Sequence, residues 1–171
     1  MIESNHRGTT WKGFWQSREV AIKVLKLRET SPKVASIFSQ ECKRLRIFNS
    51  AHVLPLLGSC TSLPDLILVS QFMPCGSLYS LLHDQAALAI DSDQAVQLAT
   101  HVARGMDFLH KMEPMIPGYD LTSRHVMIDE DLTAKINMAD CLFSFCGRER
   151  LYHPAWMAPE GKAWAWRTRV A

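Results

Sequence analysis

Two charged residues sit where an apolar pattern leaves little room for them. Lys23 lies in the run Glu19-Val20-Ala21-Ile22-Lys23-Val24-Leu25, which is short and rich in β-branched residues, as strands are. Alternate strand residues share a face, so the ammonium stands on the same side as Ala21 and Leu25. Glu41 comes three residues after Phe38 and four before Leu45, on the apolar stripe of a predicted helix. Buried charges need partners. One solution is that Lys23 and Glu41 face each other, leaving the lysine free to meet an anionic ligand. The other is that Lys23 reaches along its stem to solvent while Glu41 borders the stripe. These two residues alone do not choose between the solutions.

Other chemistries find less support. The five cysteines (Cys42, Cys60, Cys75, Cys141, Cys146) contain no CxxC, and the last two have no His or Cys partner at zinc-site spacing. They are expected to be free thiols of a reducing compartment, which points to the cytoplasm. A net charge of +2 gives no argument for nucleic acid or an anionic membrane. There is no run of about 18 apolar residues to cross a bilayer. Met1 leads into Ile2-Glu3-Ser4-Asn5 with no basic or apolar leader pattern. With 47% hydrophobic and 21% charged residues in 171, the composition is that of one globular domain.

The elements that must position Lys23 and Glu41 follow from periodicity. After the 19–25 strand, Pro32 opens a helical pattern with Val34, Phe38, Leu45 and Phe48 at helical spacing. Two strand-like runs, His52 to Leu57 and Leu66 to Phe72, come next. Pro74-Cys75-Gly76-Ser77 breaks the second, and Ser77 can cap a short helix from Leu78 to His83. Asp91 with Gln94 makes a capping-box start for a longer helix. Its apolar stripe is Ala95, Leu98, Val102, Met106 and Leu109, ending near His110. Beyond Pro114 and Pro117 the pattern is of short strands and loops. No repeat or linker divides the chain.

Taken in order, these segments resemble landmarks of the protein kinase superfamily. Val20-Ala21-Ile22-Lys23 is similar to the third-strand lysine motif. Glu41 stands where the partner glutamate is expected. His52-Val53-Leu54 stands where kinases carry a His-Pro-Asn-Ile-like segment. Gln71 to Leu78 is similar to a hinge with its following helix, Arg104-Gly105-Met106 to His110 to the helix before a catalytic loop, and Ala158-Pro159-Glu160 to the end of an activation segment. Within the superfamily the chain most resembles the integrin-linked kinase family of pseudokinases. That likeness rests on segments such as Trp11-Lys12-Gly13, Arg44-Leu45-Arg46-Ile47-Phe48, Glu113-Pro114-Met115-Ile116-Pro117, Val126 to Asp131, Met138-Ala139-Asp140 and Pro154-Ala155-Trp156.

The resemblance implies an α+β, protein-kinase-like bilobal fold over residues 1–160. Its strand-rich N-lobe with one helix would cover about 1–73, and an incomplete helical C-lobe about 74–160. Residues 161–171 (Gly161 to Ala171) do not resemble the family. The helices expected after Glu160 are missing, which leads to the expectation that the chain alone is unstable. The resemblance further implies an ATP and Mg²⁺ site between the lobes. It would be lined by Gly8, Ala21, Lys23, Glu41, Ser70, Gln71, Met73 and Asp140, with Asp140 as metal ligand and Asp120 in the catalytic position.

Several substitutions bear on what such a site does. Phosphoryl transfer needs cradled phosphates, metal held by oxygen ligands and a carboxylate beside the attacking hydroxyl. The phosphate loop reads Glu3-Ser4-Asn5-His6-Arg7-Gly8 and keeps only the last of three glycines. Gly8 serves either phosphate approach or a strand turn. Gly118 and Tyr119 replace a His-Arg pair, and Thr122 replaces a lysine that stabilises the transferring group. His125 replaces the asparagine for a second metal, and imidazole suits a hard ion poorly. Asp140 is followed by Cys141-Leu142 rather than Phe-Gly. Asp120 is then either a real base or a solvated loop carboxylate. The expected function is a pseudokinase-like nucleotide-binding scaffold of integrin adhesion signalling, linking integrins to actin through parvin-like and kindlin-like partners, with weak or no phosphotransfer. An active serine/threonine kinase and a non-functional fragment are the alternatives.

Overall fold

The computed structural model describes residues 1–5, 8–27, 31–84, 90–112 and 121–140, with the backbone alone at Asn5 and Asp140. Strands β1 (Glu3–Asn5), β2 (Gly8–Trp15) and β3 (Arg18–Leu25) form an antiparallel meander. Its β2–β3 turn is made by Gln16 and Ser17, both at positive φ (48° and 62°), the hand that matches the twist of the flanking strands. Strands β4 (Leu56–Cys60) and β5 (Ile67–Gln71) complete a five-stranded sheet in the order β1-β2-β3-β5-β4.

Helix α1 (Pro32–Arg46) begins at Ser31, whose hydroxyl accepts from the Val34 N–H, with proline in the first turn and Lys43, Arg44 and Arg46 in the last. Each feature suits its end of the helix dipole. The helix buries Phe38, Cys42 and Leu45 in one core with Leu25, Val53, Leu56, Leu66 and Leu68. Phe38 is fully buried, which alone is worth about 1.5–3 kcal/mol of transfer free energy.

The second half is built on two helices and a hairpin. Helix α2 (Leu78–His83) is capped by Ser77, and α3 (Ser92–His110) starts with the reciprocal Asp91–Gln94 box, as the sequence predicts. A 3-10 turn (Ser123–His125) leads into β6 (Val126–Ile128), which pairs antiparallel with β7 (Ala134–Ile136). A second 3-10 turn, Met138–Asp140, follows.

Two expectations are corrected. The run His52 to Leu57 is not a strand over its length: pairing starts at Leu56 and extends to Cys60. Val53 makes a single parallel bridge to Ile136 instead, because it is drawn wholly into the core. The expected apolar stripe of α3 also differs at its first member. Leu98 and Val102 pack with Leu81, Val126, Ile128 and Ala134, while Leu109, Met106 and Phe108 join the α1 core. Ala95, expected in the stripe, is exposed. The hairpin supplies the cover, and Gly105 lets α3 approach it. A Cβ there would lie 2.6 Å from the His52 carbonyl oxygen and 2.9 Å from Ile136 Cδ1. Residues 161–171 lie outside the described residues.

Candidate functional site

Antiparallel register places Ala21, Lys23 and Ser70 on one sheet face. Ala21 stands opposite Ser70, and Lys23 opposite Leu68. Leu68 shares its core with Phe38, Cys42 and Leu45, so α1 covers the part of this face that carries Lys23. Glu41 lies on the same side of α1, half-buried, with its Oε2 atom buried. Lys23 is half-buried too, and both residues are engaged in interactions. The packing therefore sets the lysine-bearing face against the glutamate-bearing helix, and neither charge stands alone.

Behind Ser70 the elements converge on a cavity of about 10 Å³, room for roughly one water molecule. Leu45 of α1, Leu54, Pro55, Leu56, Asn137 and Ala139 line it with Ser70. Ala139 immediately precedes Asp140, and Met138 of the same turn is buried in the α1 core. The end of β7 thus brings the backbone of Asp140 to the region reached by Ser70 and α1. Asp120 lies outside the described residues, as do Gly118, Tyr119, Cys141 and Ala158-Pro159-Glu160.

At the hinge, Gln71 is the last residue of β5, paired with Val20. Met73 is buried, and its carbonyl accepts from the Gly76 N–H at 3.0 Å, closing a turn that needs the positive φ of Gly76. Gly8 is buried in β2, where an added Cβ would collide with the Val24 carbonyl oxygen. Strand packing by itself requires a glycine here.

The Thr122 and His125 side chains are committed to the chain that carries them. The Thr122 hydroxyl accepts from the Arg124 N–H at 3.2 Å, and His125 Nδ1 accepts from the Thr122 N–H at 3.3 Å. Both side chains are largely buried. They cap the 3-10 turn reciprocally, which serves orphan amide groups as a helix capping box does. The Nδ1 lone pair is consequently occupied by an N–H donor. Among the described residues, no group of three or more His, Cys, Asp and Glu could hold a metal ion.

Two clusters were missed from sequence. Gln71 extends its amide to Asp129 and Lys135 of the β6–β7 hairpin. The rings of His52 and His101 stack at 4.5 Å, bonded to the carbonyl and the N–H of Ala134 respectively. Burial, then the neighbouring His52 and Arg104, lower the His101 pKa, while Asp131 opposes them. No short-range signal marks either cluster, since each joins residues far apart in the chain. Burial likewise raises the thiol pKa values of Cys42 and Cys75, with Asp129, Glu130 and Asp131 adding to the effect at Cys75.

Comparison with known proteins agrees with this geometry. The family described as protein tyrosine and serine/threonine kinase matches residues 1–163. The chain is 50% identical over 161 residues to the human (Homo sapiens) scaffold protein ILK, covering 93% of this chain and 36% of that protein. It is 42% identical over 159 residues to the integrin-linked protein kinase homolog pat-4 of Caenorhabditis elegans, covering 93% of this chain and 34% of the relative. The probable serine/threonine-protein kinase drkA of Dictyostelium discoideum is 29% identical over 167 residues, which is 93% of this chain and 25% of drkA. The chain thus spans about a third of the length of the curated scaffold and integrin-linked relatives it matches.

Proposed function

The chain belongs to the protein tyrosine and serine/threonine kinase family, and on that premise we propose that it is a pseudokinase scaffold unit that binds nucleotide with weak or no phosphotransfer. The observation that carries the reading is the reciprocal capping of Thr122 and His125. An active kinase uses these positions for a cation on the transferring phosphoryl group and for an oxygen ligand to a second metal. Here a hydroxyl and an imidazole take both places, and each is spent on the turn's own amides.

The residues present fit ATP in part. Small Ala21 and Ser70 side by side leave a flat wall suited to an adenine, and Lys23 on the same face supplies a cation for phosphate oxygens. Asp140 would hold one Mg²⁺, which when bound neutralises phosphate charge. A second metal is poorly served, because imidazole suits a hard ion poorly and His125 Nδ1 already accepts an N–H. The names of the relatives, a scaffold protein and an integrin-linked kinase homolog, support a scaffold role in integrin signalling; a cytoplasmic place and parvin-like and kindlin-like partners on the way to actin are the extension we propose from the family resemblance. Lys23 and Glu41 on facing surfaces favour the rival, an active serine/threonine kinase.

Thermal shift with ATP and magnesium tests the site, since a ligand bound only to the native state raises its apparent stability. The shift is expected to vanish in Lys23→Met and to weaken in Asp140→Ala. A shift unchanged in both would put any nucleotide elsewhere.

A further inference from the structure

Gln71 closes β5 and moves with the sheet, because its backbone pairs with Val20. Four residues on, the chain belongs to the other half: Cys75 N–H donates to the Ile128 carbonyl at 3.2 Å, and Ile128 N–H to the Gly76 carbonyl at 2.8 Å. Ser77 also bridges Met127. The pivot between sheet and hairpin therefore falls within 72–74. Across that pivot, Gln71 Nε2 donates to Asp129 Oδ2 at 2.9 Å, and Lys135 Nζ donates to Gln71 Oε1 at 2.8 Å. Lys135 and Asp129 are 3.9 Å apart, their side chains only 16% and 19% exposed.

The chemistry of the bridge is specific. A primary amide can accept from an ammonium and donate to a carboxylate at the same time. Glutamate at this position would keep the Lys135 contact but set two carboxylates together. Leucine would remove the bridge from β5 and leave Lys135 and Asp129 only their mutual contact at 3.9 Å. Hydrogen bonds to charged groups are about twice as strong as neutral ones, and partial burial limits competition from water. The backbone bonds at Cys75 and Ile128 join the hinge to the hairpin without touching β5. On the far side, the segment before β4 holds the hairpin through the Leu54 N–H to Ile136 carbonyl and Ile136 N–H to His52 carbonyl bonds, each 2.9 Å; on the hinge side, the side-chain cluster is the contact that reaches β5 itself.

We infer that Gln71, Asp129 and Lys135 form a latch across the pivot, holding the two halves at a fixed opening. It concerns the motion of the halves and requires no ligand in the cleft, so it stands or falls separately from nucleotide binding. The experiment is amide hydrogen exchange on the full-length protein without nucleotide, comparing Gln71→Leu, Lys135→Met and the double variant. The Phe72 and Gly76 amides, which bond the Glu19 and Met73 carbonyls at the two ends of the pivot, should exchange about tenfold faster in each single variant, as expected for losing a charge-assisted bond. Amides in the middle of α3 should not change, and the double variant should be no faster than the singles. Gln71→Glu, which keeps size and the Lys135 contact, provides a milder version if the leucine form does not fold, and should speed exchange less. Unchanged exchange at Phe72 and Gly76 overturns the latch. So does a uniform rise that includes α3, or an additive double variant.

Discussion

Gly105→Ala sets two effects of opposite sign against each other at one atom. In an exposed helix interior, replacing glycine by alanine gains about 1 kcal/mol of helix propensity. In α3 the new methyl would sit 2.6 Å from the His52 carbonyl oxygen, with Ile136 Cδ1 at 2.9 Å and Cγ1 at 3.3 Å. Carbon and carbonyl oxygen settle at roughly 3.3–3.6 Å in close contacts, so helix and turn must part by about 0.7 Å or more. Ile136 is fully buried, and close-packed interiors do not yield cheaply. Overpacking of this kind costs about 1–3 kcal/mol. The same shift also strains the His52–His101 stack and the Ala134 bonds. The close oxygen contact and this added strain put the cost in the upper half of that range, about 2–3 kcal/mol, so the clash should win, for a net loss of about 1–2 kcal/mol. At about 2–4 °C per kcal/mol for a domain of this size, the Tm should fall by roughly 2–8 °C, with a matching drop in the urea midpoint. Ala103→Gly, at an exposed position on the same helix, isolates propensity and should cost about 1 kcal/mol. A neutral or stabilised Gly105→Ala would refute the close packing of α3 on the His52 turn.

Other expectations follow from particular side chains. Because His101 titrates below its ordinary 6.5, the unfolded chain binds the proton first. Stability should therefore fall as pH drops below about 6.5 and level off below the folded pKa. His101→Gln should flatten that slope in urea midpoints between pH 7.5 and 5.5, and an unaltered slope would exclude this histidine as the cause. Phe38→Ala, at a fully buried site, should cost about 3–5 kcal/mol, whereas Val96→Ala at 67% exposure should stay within about 0.5 kcal/mol; equal effects would contradict the assigned face of each helix. Asp91→Ala removes one half of the α3 capping box and should lower stability by about 1 kcal/mol. Chemical denaturation reads it directly, and no loss would mean the box is not formed in solution.

Local rules carried much of the fold. Pro32, Ser77 and the Asp91–Gln94 pair each mark a helix start, because helix starts are decided within four residues of sequence. The run around Lys23 was legible for the same reason, since period-two alternation fixes which face each side chain takes. What stayed hidden depends on distant partners. Val53 looks like a strand residue but is taken by the core and by Ile136, and no local pattern signals that. The cover of α3 came from a hairpin of two three-residue strands, too short for periodicity to register. Near the candidate site, the shared sheet face of Ala21 and Lys23 was readable from alternation, and the register adds Ser70 to it. That Thr122 and His125 cap one another was not foreseen, although a threonine three residues before a hydrogen-bonding side chain is a spacing that could have suggested it. The Gln71 bridge joins residues 58 and 64 positions apart and had no sequence signal.

The reciprocal capping of Thr122 and His125 predicts that this kinase fold transfers no phosphoryl group. A phosphotransfer assay of the full-length protein with ATP, magnesium and a generic protein substrate tests it most directly, run beside the Asp120→Ala form. The two are expected to be indistinguishable, both at background. Robust transfer that disappears in Asp120→Ala would contradict it and establish an active kinase.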